Sequence, residues 1–160
     1  MTVAWKAALV VLAELEASVT ASQAGRDIAA EHVDVANNVS LGDERRRTED
    51  DQKSLLLALS SLVGASLLDK ALAILAKREA VLEYRAACGR SAFRVRGEGD
   101  REYKVLLIGF CTCHNFLSER AGTNIPVCKH ILAAYLGRIQ HVTKVISISD
   151  DDWAREAWGV

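Results

Sequence analysis

The sequence predicts an α+β fold, with helices first, then a three-stranded antiparallel meander, then a C-terminal helix. Three observations lead there. Leucine and alanine recur at helical spacing through the first half of the chain. After Arg78 the period shortens to strict alternation. Between Cys111 and His130, two X-separated pairs of metal-ligand residues then bracket a fourteen-residue gap.

Length and composition bound the rest. At 160 residues with 50% hydrophobic content, the chain suits one domain that buries a core without disulfides. A formal charge of −1 argues against strong polyanion binding by the molecule as a whole. Any nucleic-acid contact therefore needs a local basic face or a partner. The apolar run from residue 7 to 13 follows Lys6, but Glu14 and Glu16 stand where a leader's cleavage site belongs. Unbroken apolar runs fall short of the ~18 residues of a membrane span. The expectation is a soluble, intracellular chain without membrane contact.

Residues 1–20 form the first unit. Trp5, Ala8, Leu9, Leu12, Leu15 and Val19 recur at three- and four-residue steps and predict an amphipathic helix over 4–19. Val10 and Val11 widen that apolar surface, so the helix suits core packing or docking of a partner. Residues 21–52 read as a mobile charged linker, with isolated apolar residues and the run D-E-R-R-R-T-E-D-D at 43–51. Arg45, Arg46 and Arg47 carry the pattern of a phosphate or nuclear-targeting patch, but five flanking acids balance them as in a solvated linker.

Residues 53–78 predict helix, divided at Gly64 because glycine costs about 1 kcal/mol against alanine inside a helix. Ser66 to Asp69 resembles a capping box for the second segment. Leu55, Leu59, Leu62, Leu68, Leu72 and Leu75 would face the core, while Leu56, Leu57 and Leu67 are left for another surface.

Residues 79–160 hold the meander, the metal-ligand window and the C-terminal helices. Strands are expected over 81–88, through Phe93 and Val95, and from Tyr103 to Phe110, with glycine turns between. Cys88 would be a small buried strand residue. Lys77 to Lys104 holds eight basic and five acidic residues, with Arg94 and Arg96 on one side of a strand. A solvated sheet face is the simpler reading of that pair and a phosphate contact the sharper one.

The chemistry concentrates in C-T-C-H at 111–114 and V-C-K-H at 127–130. Cys111, Cys113, Cys128 and His130 supply three thiolates and an imidazole, the donors that four-coordinate zinc prefers. A closed Cys3His shell leaves no position for water, so the metal would be structural. Buried thiols packed as hydrophobes, or a disulfide, are the competing readings. Cys111 and Cys113, two apart on extended chain, point the same way. Cys128 and His130 bracket the start of a helix after Pro126, and Ala133 lets that helix pack closely. His114 is a conceivable substitute ligand, better read as a loop side chain. Residues 142–148 alternate as a short strand or an extended strap, and Ser149 to Asp152 would cap a last helix with Trp153, Ala157 and Trp158 inside. No turn glycine or distal glutamate makes those aspartates a calcium loop.

C-x-C followed by C-x-H, with Ala133 three residues on, resembles the SWIM-type zinc finger. The phrase V-C-K-H-I-L-A-A-Y-L resembles, more narrowly, the small SWIM-domain subunit of the Shu complex, over about residues 52 to 150. That resemblance implies zinc at the four ligands, a nuclear location, and a heterodimer with a RecA-like recombinase paralogue. It implies support of recombinase filaments in homologous recombination DNA repair, with indirect or weak single-stranded DNA contact. The alternative is a SWIM-type module that binds DNA directly or serves as an adaptor in another nuclear complex. No phosphate loop, nucleophile elbow, H-E-x-x-H pair or deaminase pattern occurs in the sequence. The expectation is a non-enzyme with no small-molecule substrate.

Overall fold

A computed structural model describes residues 3–31, 38–118 and 127–159. His32 and Pro126 lie outside the described residues, as do the side chains of Trp5 and Arg45 to Arg47. The chain runs α1 (Val3–Glu31), α2 (Asn38–Val63), α3 (Ala65–Leu75), β1 (Val81–Ala86), β2 (Ser91–Arg96) and β3 (Glu102–Leu106). It continues with β4 (Phe110–Cys111), α4 (His114–Ser118), α5 (Lys129–Ile139), β5 (Lys144–Ile148) and α6 (Trp153–Trp158). The fold is α+β, as the periodicities predict.

The first helix is longer than its apolar stripe. Ala8, Leu12, Leu15 and Val19 are buried against the rest of the core, and the helix continues to Glu31. Residues 21–31 and 38–52, expected as a linker, are helical. Alanine, glutamate and arginine are good helix formers. Helix also propagates cheaply from a packed end, here Leu55, Leu59, Leu62 and Val63. The stretch Lys6–Ala24 is long and apolar enough to cross a membrane by length and composition, with mean hydropathy 1.2. Counting unbroken apolar runs missed this, because a hydropathy average tolerates interspersed Ser, Thr and Glu. The buried stripe shows what the apolar surface does within the chain: it covers α2 and touches α5.

Gly64 separates α2 from α3 at φ 91°, a left-handed conformation that favours glycine. It is itself the N-cap of α3, and its carbonyl accepts from the N–H groups of Leu67 and Leu68. Ser66 makes no side-chain cap, contrary to the capping-box expectation. Of the left-over leucines, Leu56 and Leu67 pack partly on the core, and only Leu57 stays well exposed at 69%.

The three meander strands form, residues 144–148 take the strand reading as β5, and the short β4 completes a five-stranded sheet in the order β4-β3-β2-β1-β5. β1, β2, β3 and β4 pair antiparallel in sequence, and β5 adds parallel to β1 with Tyr84 beside Ile146. The third strand stops at Leu106, and a turn with Gly109 folds the chain back into the short β4. Alternation places Val81, Phe93, Val95 and Val105 on the face covered by α5, with α3 and α1 beyond it. The opposite face carries Leu82, Tyr84, Ala92, Leu106, Ile146 and Ile148 and is capped by Trp153, Ala157 and Trp158 of α6.

Two side-chain expectations change. Cys88 is exposed, because β1 ends at Ala86 and the thiol sits in the turn, where its N–H donates to Asp150 at 3.0 Å. Arg94 is engaged by the chain itself. It lies over the Tyr84 ring at 4.8 Å, pairs with Glu102 at 3.7 Å and donates to the Glu156 carbonyl, which leaves it poorly placed for phosphate.

Candidate metal centre

The β3–β4 hairpin and the N-terminus of α5 bring the four predicted ligands together. Cys111 lies opposite Val105 in the last ladder of the sheet, and Thr112 extends that ladder by exchanging hydrogen bonds with Lys104. Cys113 follows just before α4. Cys128 is the N-cap of α5, and His130 lies in its first turn. All four side chains are buried, and their ligand atoms lie within 4.8 Å of one another. His114 begins α4 with its side chain exposed, outside this group.

The donor set fits zinc. A tetrahedral ion with Zn–S of about 2.3 Å and Zn–N of about 2.0 Å separates its donors by roughly 3.5–3.8 Å. Cys111 Sγ and His130 Nδ1 stand 3.8 Å apart, so little contraction is required. Nδ1 is thus the nitrogen on the sulfur side; Nε2 lies toward Gly97. The three cysteines are free thiols, which removes the disulfide reading. With four protein donors the shell is closed, and the ion's chemistry is to fix chain segments rather than to activate a substrate.

Backbone amides prepare the sulfurs for negative charge. Cys113 N–H points at Cys111 Sγ and Phe116 N–H at Cys113 Sγ, each at 3.4 Å. Without metal the thiols share protons unequally. The Cys111 thiol holds Cys128 low, to about 4, aided by His130 and the Ile131 amide. Cys111 is pushed up by that same contact and by burial, and Cys113 is raised mainly by burial. Hydrogen bonds from the Cys111 thiol first, then His130 and the Ile131 amide of the helix start, therefore favour a thiolate at Cys128.

Sequence reasoning missed the support behind the histidine. The Tyr103 ring stacks on His130 with centroids 4.0 Å apart and planes 22° from parallel. Gly97 makes room for that stack, since a Cβ there would fall 2.4 Å from Tyr103 Cε2. The turn glycine was legible; the stack of Tyr103 on His130, residues distant in sequence, was not. Beside the site, Lys129 pairs with Glu98 at 3.2 Å and holds that carboxyl below its usual range.

No family model matches the chain, and no solved structure matches it. Among curated proteins it is similar to zinc finger SWIM domain-containing protein 7 of Homo sapiens. The two are 31% identical over 97 residues, 59% of this chain and 68% of that protein. The likeness spans two thirds of a relative named for its SWIM finger, and the C-x-C and C-x-H pairs converge as such a finger requires. The chain belongs to the SWIM-type zinc-finger family.

Proposed function

We propose that the protein is a non-enzymatic subunit of a Shu-type complex. Its zinc-stapled domain pairs with a RecA-like recombinase paralogue and supports recombinase filament assembly during homologous recombination in the nucleus. The observation that carries this reading is the closed, buried Cys3His set. It gives the metal a structural task and leaves function to surfaces. The similarity to a SWIM-domain relative supports it further. Apolar side chains left outside the core on the helical layer suit a partner: Val10 is 58% exposed on α1 and Leu57 69% on α2.

Co-expression with the RecA-like paralogues of the same genome, followed by light scattering on the purified material, tests the pairing. The expected result is a one-to-one heterodimer that Leu57→Asp or Val10→Asp disrupts while zinc content stays unchanged. A monomeric chain that ignores every such paralogue contradicts it. A tagged chain held outside the nucleus contradicts the location.

A further inference from the structure

His130 is 2% exposed, and its Nε2 is buried with no hydrogen-bond partner among the described residues. The other ring nitrogen, Nδ1, stands on the side of the Cys111 sulfur. An imidazole that gives its Nδ1 lone pair to a metal carries its proton on Nε2. The ligand ring therefore presents a buried N–H donor in want of an acceptor. Metal-binding histidines almost always give that proton to a carboxylate, a backbone carbonyl or a water, which orients the ring and raises its basicity.

The chain holds a carboxylate at the right place. Nε2 lies on the Gly97 side of the ring, where a Cβ would stand 3.5 Å away. The residue after Gly97 is Glu98, whose Oε1 accepts from Lys129 Nζ at 3.2 Å. Lys129 directly precedes His130 at the start of α5. The carboxylate is thus tied to the ligand's neighbour, and the His130 ring acts on it through space after the larger effect of Lys129. The Glu98 side chain is 89% exposed, and an exposed ion pair is a weak tether that lets the carboxylate turn inward. A cleft of about 420 Å³, lined by Glu98, Gly99, Arg101, Tyr103 and Lys129, gives it room to do so. Glu102 on β3 is engaged on the opposite face of the sheet, where it pairs with Arg94 at 3.7 Å.

We propose that Glu98 is a positioning residue of the zinc site: its Oε2 accepts the Nε2–H of His130 while Oε1 keeps Lys129. One carboxylate then clasps two consecutive residues of α5. The bond holds the ring in the tautomer that offers Nδ1 to zinc, and acts at its edge while Tyr103 covers its face at 4.0 Å. The negative charge beside the ring strengthens the imidazole as a donor. Through Glu98 the turn between β2 and β3 becomes part of the metal site. This inference rests on the zinc site and not on the recombinase pairing.

Imidazole nitrogen NMR of the zinc-loaded full chain, with zinc competition against a chelator under reducing conditions, tests it. The wild type is expected to show Nδ1 bound to metal and a slowly exchanging Nε2–H in through-space contact with the Glu98 side chain. Glu98→Leu is expected to speed that exchange and to weaken zinc binding roughly tenfold, as loss of such a partner does. Glu98→Gln keeps an acceptor oxygen and should stay within about threefold of the wild type. Lys129→Met removes only the tether and should change zinc affinity less than about twofold. A loss in Lys129→Met equal to that in Glu98→Leu overturns the proposal, because Glu98 would then act through the ion pair alone. A wild-type Nε2–H that contacts only water overturns it, as does a proton that Glu98→Leu leaves unchanged. Zinc bound through Nε2 overturns the proposal alone, whereas a chain that takes up no zinc overturns it together with the metal site.

Discussion

Cys128 occupies the position where α5 begins, and its environment sets how the site takes up metal. In the metal-free chain this thiol is low, at about 4, while Cys111 and Cys113 are raised and keep their protons at neutral pH. Zinc must therefore displace about two protons on binding near pH 7.5, and affinity rises with pH by about two log units per unit. Calorimetry in buffers of different ionisation enthalpy counts those protons; three released would show that Cys111, His130 and the Ile131 amide do not hold Cys128 as a thiolate. Gly97 matters for a different reason. Gly97→Ala drives a methyl into Tyr103 and should cost about 1–3 kcal/mol in urea unfolding of the zinc-loaded protein. An unchanged midpoint would mean the Tyr103–His130 stack is not held closely. At this scale the four ligands were legible in the sequence, because paired spacings survive any fold. The Tyr103–His130 stack was not, because it arises only when β3 meets α5. Cys88 was misplaced because the end of a strand is set by its partner's turn, not by alternation.

The elements follow local pattern closely where one face is buried and depart from it elsewhere. α1 is anchored by Ala8, Leu12, Leu15 and Val19, so its stripe was readable. Its continuation to Glu31, and the charged start of α2, have no such stripe and looked like linker. Propensity and helix continuity decide those residues, and the 3–4 apolar period is silent on both. The sheet shows the same division. Three strands joined by tight turns announced themselves, whereas β4 has only two residues and β5 joins β1 in parallel from about sixty residues away. Non-local pairing leaves little local trace. Leu15→Ala removes a side chain only 2% exposed beneath the helical layer. It should destabilise the chain by about 2–5 kcal/mol while zinc stays bound, since the cavity opens away from the metal ligands. Urea unfolding and metal analysis read the two effects separately; loss of zinc in this variant would show that the helical layer and the staple form one unit.

Across the whole molecule, α1 and α3 stack on α5, α2 packs on α1 and α3, α5 covers the sheet, and α6 closes the far side. The metal centre sits where the β3–β4 hairpin meets α5, and its ligands come from segments that share no hydrogen-bonded ladder. A structural zinc of this kind carries on the order of 10–16 kcal/mol, comparable with the stability of an entire domain. The most direct check is the metal content and fold of the chain purified under reducing conditions without chelator, beside Cys128→Ser. The expected result is one zinc per chain, with loss of zinc and of cooperative unfolding in the variant. A chain that folds cooperatively with no zinc bound, and that Cys128→Ser leaves unchanged, would contradict the account.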